Sequence, residues 1–208
     1  MEPQEETNNP LILPIAIILA GALIGGGIYM SNKNPDVTLG NRTQQTNEIP
    51  EVIINPVTEE DHILGNPNAP VVIVEFSDIE CPYCKVYHNT LQRIINEYGK
   101  DGKVALVYRH FPLDQLHSKA RREAEATECA DDLGGNSKFW EYLNEIYART
   151  PSNNNLDLTE LNTIASDIGL DEDKFDECLN SGKYAQKVQD QYEDAVRSGG
   201  KGTPHSVL

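Results

Sequence analysis

Positive charge is scarce in this chain. Lys and Arg number 17 against 33 Asp and Glu, a formal net charge of −16 over 208 residues. No basic cluster is longer than Arg121-Arg122, so the surface repels nucleic-acid phosphates and anionic headgroups, which excludes nucleic-acid binding. Cysteine is sparse as well: four residues are too few for the disulfide scaffold of a small secreted protein, and their chemistry must be local. Internal repeats are absent. What is present, a 38% hydrophobic content with nine Tyr and four Phe, is enough for a packed core of one or two domains and excludes a wholly disordered chain.

Long apolar runs are rare too, with one exception. After a polar tail, residues 1–10, Leu11 to Met30 carry no charge; at ~1.5 Å per residue this run matches the hydrocarbon thickness of a bilayer. It reads as a single membrane anchor, residues 11–30. A cleaved secretory signal is the alternative, but no Lys or Arg precedes the run and no small-x-small cleavage site follows it. Gly21 and Gly25 have the small-xxx-small spacing of close helix pairs, although glycine is common in membrane helices anyway. Lys33 and Arg42 follow the anchor, and the positive-inside rule would place that side in the cytoplasm. Two charges are a thin vote, and the cysteine pattern below places the domain outside. Residues 31–60, rich in Asn, Pro, Thr and Gln, read as a flexible tether, with the domain starting near Asp61.

Within residues 61–208 the run Val71-Val72-Ile73-Val74-Glu75-Phe76-Ser77-Asp78 is a buried-type strand. It leads into Cys81-Pro82-Tyr83-Cys84, after which Tyr87, Leu91, Ile94, Ile95 and Tyr98 recur on one helical face until Gly99. Lys103 to Phe111 reads as the next strand, giving a βαβ start. Pro82 suits the first helical position, which puts Cys81 at the cap, where free N–H groups and the helix dipole stabilise a thiolate. Cys81 is then the nucleophile and Cys84, one turn inward, the resolving thiol, a pair suited to exchange through a mixed disulfide. Half a zinc site is the main competitor, but Cys129 and Cys178 stand far apart and alone rather than as a second pair. No metal or cofactor is expected. A merely structural Cys81–Cys84 bond would close too small a loop to stabilise much.

Glu75 interrupts the apolar strand. Buried, it could accept and return the proton of Cys84; the bland reading is an exposed strand end. His110 and His117 lack a second ligand at short helical spacing and read as surface or structural residues. Trp140, Tyr142 and Leu143 read as helix core. Residues 113–200 carry five helical patterns: His117 to Leu133, Ser137 to Ala148, Thr159 to Ile168, Asp171 to Asn180 and Tyr184 to Arg197. Near the end comes Thr203-Pro204, a bond that is trans by default.

Taken together, the strand with Glu75, the Cys81-Pro82-Tyr83-Cys84 helix start, Tyr108 to Leu113, the segment Ala124 to Tyr147, and Gly202-Thr203-Pro204 resemble the DsbA-like thiol:disulfide oxidoreductases of the thioredoxin superfamily. The resemblance implies an α/β, thioredoxin-like fold with an inserted helical domain at about residues 113–200, preceded by one transmembrane helix. It implies that Glu75 is the buried acid, that Pro204 is a cis-proline facing the disulfide, and that Thr203, with Pro82 and Tyr83, contacts substrate by backbone strand addition. It further implies a second disulfide, Cys129–Cys178; two free thiols packed as small hydrophobes are the alternative. Members continue past the cis-proline strand into another strand and a closing helix, expected to be missing here. The implied partners are exported polypeptides and a quinone-linked membrane protein for reoxidation, with the bilayer contacted through residues 11–30. A reductase or isomerase of the same fold, or a non-enzymatic metal-binding or chaperone module, are the competing functions.

Overall fold

A computed structural model describes residues 53–208; the expected tail, membrane anchor and most of the tether lie outside the described residues. No described helix is long and apolar enough to cross a membrane. The described elements are β1 (His62–Gly65), β2 (Val71–Ser77), α1 (Pro82–Ile94), a π-helical turn (Ile95–Gly99), β3 (Val104–His110), α2 (Ala120–Gly134), α3 (Asn136–Arg149), α4 (Glu160–Asp167), α5 (Glu172–Ser181), α6 (Ala185–Arg197) and β4 (His205–Val207).

The described strands form one sheet in the order β1-β3-β2-β4. β2 and β3 run parallel from Val71 opposite Val104 to Ser77 opposite His110, the arrangement that the crossover through α1 requires. β4 lies antiparallel to β2, with Glu75 opposite Ser206, and β1 antiparallel to β3. Alternation along β2 divides its side chains between two apolar layers. Ile73 faces the larger core with Leu91 and Ile95, Leu106 and Tyr108, and the helices of the insertion. Val74 and Phe76 face a smaller core with Val107, Phe111 and Ala195 of α6. Glu75 therefore points to the larger layer, as does Ser77.

The five expected helices are all present, and Trp140, Tyr142 and Leu143 are core residues. The expected start at His117 is corrected: the helix begins at Ala120, because both the His117 ring and the Leu113 amide are tied to Asp78. The tether boundary is corrected as well. Arg109 of β3, almost fully buried, pairs with Asp61 and Asp194 and donates to the carbonyls of Asn55 and Pro56, so the chain is held to the domain from Asn55 onward. Strand β1 was not foreseen, since four residues are too short to show alternation. Its last residue must be glycine: φ at Gly65 is +103°, and a Cβ there would meet the Val104 carbonyl at 3.0 Å.

Candidate active site

Strand β2 ends at Ser77 and the chain turns through Asp78, Ile79 and Glu80 into α1, whose cap is Cys81 and whose first residue is Pro82. The turn is closed by Cys81 N donating to Asp78 O at 3.1 Å, and the first helical bond by Lys85 N to Cys81 O at 3.2 Å. The missing N–H of proline leaves no orphan donor at that position.

Asp78 organises what surrounds the turn. Its Oδ1 accepts from Glu80 N at 2.8 Å, its Oδ2 from Leu113 N at 2.8 Å and His117 Nδ1 at 2.9 Å, and its own amide donates to Cys84 Sγ at 3.5 Å. Burial pushes the Asp78 carboxyl up, against the pull of the Leu113 and His117 bonds. His110 and His117 are buried, so the structural alternative for them holds and the surface one does not.

The two cysteines are free thiols with contrasting environments. Cys81, 5% exposed, sits at the rim, and its thiol faces the Thr203 carbonyl at 3.6 Å. The Cys84 thiol donating to it, more than any other partner, holds its pKa down to about 5, helped by Thr203 and the amides of Cys84 and Tyr83 and opposed by burial. Cys84 is fully buried, and burial, then the neighbouring Cys81, pushes it far above the ordinary thiol range. Thr203–Pro204 is cis. The segment carrying it is fixed to α1 by Tyr87 OH to Ser206 Oγ at 3.1 Å and to α6 by Ser198 Oγ to His205 Nε2 at 2.9 Å. Gly200 leaves room for this approach, since a Cβ there would lie 2.8 Å from the Ala195 carbonyl. Pro82 and Tyr83 lie on the open side, with Tyr83 74% exposed.

Glu75 is the buried acid rather than an exposed strand end: it is fully shielded and neither carboxyl oxygen has a hydrogen-bond partner among the described residues. Burial pushes it up to about 8, with the Ser77 hydroxyl acting the other way. Ser77 Oγ is 3.1 Å from Tyr147 OH, which is 3.4 Å from Tyr108 OH.

Sequence reasoning missed a second acidic pair. Glu80, adjacent to Cys81, is fully buried; its carboxylate accepts from Asn154 N at 2.6 Å and Thr150 Oγ1 at 3.4 Å, and its carbonyl from Asn153 N at 2.8 Å. These bonds hold Ser152, Asn153 and Asn154 at φ of 66°, 56° and 64°, a left-handed turn disfavoured for non-glycine residues. Glu123 of α2 is buried beside it, pushed up to about 10 by burial and by Glu80. Burial disfavours the charged form and a neighbouring carboxyl adds to that, so Glu123 keeps its proton. The only signal in the sequence was the acidic pair Asp78 and Glu80 flanking Ile79 just before the cysteine motif.

Away from this site, Cys129 of α2 and Cys178 of α5 form a disulfide with a Cα separation of 5.9 Å, which removes both as metal ligands. His62, Glu128 and Asp131 are grouped as a metal site would be, but the Lys187 ammonium, 2.6 Å from Glu128 Oε2 and 3.3 Å from His62 Nε2, already supplies the positive charge there.

A thiolate-prone cysteine at a helix cap, a buried partner thiol one turn on and a cis Thr203–Pro204 bond whose Thr203 carbonyl faces Cys81, on a βαβ sheet with a helical insertion, define a thiol–disulfide oxidoreductase of the DsbA-like class. The chain belongs to the thioredoxin family, which matches residues 57–207. Among solved structures it is similar to DsbA2 of Pseudomonas aeruginosa, with 29% identity and a TM-score of 0.61 over 73% of this chain and 81% of that one. It is also similar to alpha-DsbA1 of Wolbachia pipientis, with 25% identity and a TM-score of 0.60 over 72% and 74%. Oxidised BdbD of Bacillus subtilis shares the fold, with a TM-score of 0.66 over 75% and 85% at 23% identity. Among curated proteins, 69% of the chain is 34% identical to part of the Na(+)/H(+) antiporter NhaA 1 of Mycobacterium sp. (strain KMS), and the match spans 22% of that protein.

Proposed function

We propose that the chain donates the Cys81–Cys84 disulfide to exported polypeptides and is reoxidised by a membrane redox partner, acting outside the cytoplasm on a tether from an anchor at residues 11–30. In this reading Cys81 is attacked by the substrate thiolate, Cys84 is the leaving thiol, Glu75 handles the Cys84 proton, and the backbone at Thr203, before cis-Pro204, pairs with the substrate as an added strand, beside Pro82 and Tyr83. The observation that carries the oxidising direction is the split between the cysteines: a Cys81 thiolate held down to about 5 stabilises the reduced form, and a pair whose reduced form is stabilised is a strong oxidant. The antiporter likeness covers about a fifth of each such protein, and ion transport is not carried over to this chain.

Reduction potential tests the proposal. The full chain is equilibrated in glutathione buffers and alkylated, with Cys129 and Cys178 resolved separately. A value near about −120 mV is expected, and one near about −270 mV would replace the donor by a thioredoxin-like reductase. Protease accessibility in intact cells tests the location, the domain being expected to be cut from outside.

A further inference from the structure

Three of the four residues from Gly199 to Gly202 are glycine, the residue least restrained by its own backbone. This stretch joins α6 to β4 and leads into Thr203–Pro204, so nothing in its local sequence fixes where the Thr203 carbonyl stands against Cys81. The contact between them, 3.6 Å from Cys81 Sγ, is made by a thiol, a weak donor. Strand β4 pairs with β2 over three residues only, from Val207 opposite Val74 to His205 opposite Phe76. Side chains at the start of β4 must therefore help to set the position of Thr203.

Register decides which face each of them uses. His205, opposite Phe76, faces the smaller core: its ring lies 5.8 Å from that of Phe76, and its Nε2 donates at 2.9 Å to Ser198 Oγ, which itself donates to the Ala195 carbonyl at 2.7 Å. Ser206 stands opposite Glu75 and so points to the other face, the one that α1 covers. There its Oγ meets Tyr87 OH at 3.1 Å, and among the described residues neither hydroxyl has a second side-chain partner. Tyr87 is half-buried and packs on the larger core. Its helix, α1, is also the helix that Cys81 caps. One rigid element thus carries the nucleophile at its end and, six residues on, the hydroxyl that ties down the strand following Thr203–Pro204.

We propose that Tyr87, through Ser206, is a positioning residue that fits the site to extended polypeptide thiols over small ones. The inference rests on the thiol-exchange reading of Cys81 and Cys84 and on strand pairing of the substrate at Thr203. A small dithiol needs only to reach Cys81 Sγ. A polypeptide must also lay its backbone against Thr203, and without the clamp the cost of ordering a glycine-rich segment falls on each binding event. The Tyr87–Ser206 bond orders that segment beforehand. Its loss lets β4 and Thr203 shift while Cys81 stays on its helix cap, so the polypeptide reaction suffers more than the small-thiol reaction.

The experiment reduces the oxidised full chain, in detergent, with two reagents below saturation: an unstructured peptide carrying two cysteines, and dithiothreitol, which has no peptide backbone. In both reactions the dithiol loses two electrons and two protons as its own disulfide forms, and the Cys81–Cys84 pair gains them. Acid quenching, alkylation and mass follow the pair, with Cys129 and Cys178 resolved separately. Tyr87→Phe is expected to lower the ratio of the peptide rate to the dithiothreitol rate about fivefold, the worth of one neutral hydrogen bond, and Ser206→Ala to lower it equally. Ser206→Thr, which keeps the hydroxyl, retains the ratio. Because the two side chains share one bond, the double variant falls no further than either alone. An unchanged ratio in Tyr87→Phe overturns the clamp; so does equal slowing with both reagents, the mark of a general loss of the site, or a double variant in which the two losses multiply. If Tyr87→Phe does not fold, Ser206→Ala decides by the same ratio. Reduction of the unsubstituted protein by dithiothreitol but not by the peptide would overturn the clamp while leaving thiol exchange intact. Reduction by neither reagent would overturn the exchange reading itself, and the clamp with it.

Discussion

Glu75 and Glu128 are both completely shielded from solvent, and their surroundings send them in opposite directions. At Glu128 burial alone would favour the neutral acid, but hydrogen bonds from His110 at 3.1 Å and His62 at 2.9 Å outweigh it and hold the carboxyl well below its ordinary range. Lys187 adds a third contact at 2.6 Å. At Glu75 no cation answers the burial, and the carboxyl rises to about 8. One site is a fixed charge that joins β1, β3, α2 and α6; the other is a buried group able to exchange a proton near neutral pH. Partnering, rather than depth, separates a structural carboxylate from a reactive one.

The largest expected effect breaks the structural side. Glu128→Gln leaves two buried histidines and the Lys187 ammonium facing a neutral amide, and loss of one partner from a buried charged group costs about 3–5 kcal/mol. Denaturant unfolding at pH 7 checks this. The sign with pH follows from a depressed folded-state pKa: the Glu128 contribution is present above the unfolded value of 4.5 and is lost as pH falls through the folded one. Acid should therefore narrow the gap between the two proteins.

Glu75→Gln should act with the opposite sign. Its folded pKa, about 8, lies above the unfolded 4.5, so the native state holds a proton that the unfolded chain releases, and stability falls as pH rises between those values. Replacing the acid by an amide removes that penalty: on the order of 3 kcal/mol gained at pH 7 and none at pH 4, from 1.36 kcal/mol per pKa unit. The same substitution should slow the Cys84 step. A variant less stable at pH 7 than the parent would show that Glu75 has a partner that its geometry does not reveal.

Much of this contrast was invisible in the sequence, for a physical reason. Strand β2, the Cys81 cap, Pro82 and the five insertion helices rest on local periodicity and cap chemistry, and these read correctly to within a few residues. Glu75 could be singled out because a charged residue broke an apolar run. Pairings such as His62 with Glu128, 66 residues apart, or Arg109 with Asp194, 85 apart, leave no periodic trace. Glu123 gave no signal at all, since a glutamate in the first turn of a helix is ordinarily a solvated residue that complements the dipole; only the tertiary fold puts it against Glu80. The Cys129–Cys178 bridge was reached through family resemblance, because spacing alone does not bring α2 and α5 together.

The smallest effect sharpens the reactive side of the comparison. Tyr147→Phe deletes one hydroxyl that meets Ser77 at 3.1 Å, Tyr108 at 3.4 Å and the Asp78 carbonyl at 3.5 Å. Only the first has good geometry, so the loss should be about 1 kcal/mol, the net worth of a neutral hydrogen bond. Because Phe keeps the ring and its packing, no cavity adds to that figure. The cost should also be the same at pH 5 and pH 7, since the deleted group is uncharged throughout that range. Thermal melts at the two pH values measure both numbers. A cost that grew with pH would mean that the Tyr147 hydroxyl stabilises the ionised form of Glu75 in the folded protein, making Tyr147 a partner of the carboxylate and bringing Glu75 closer in kind to Glu128.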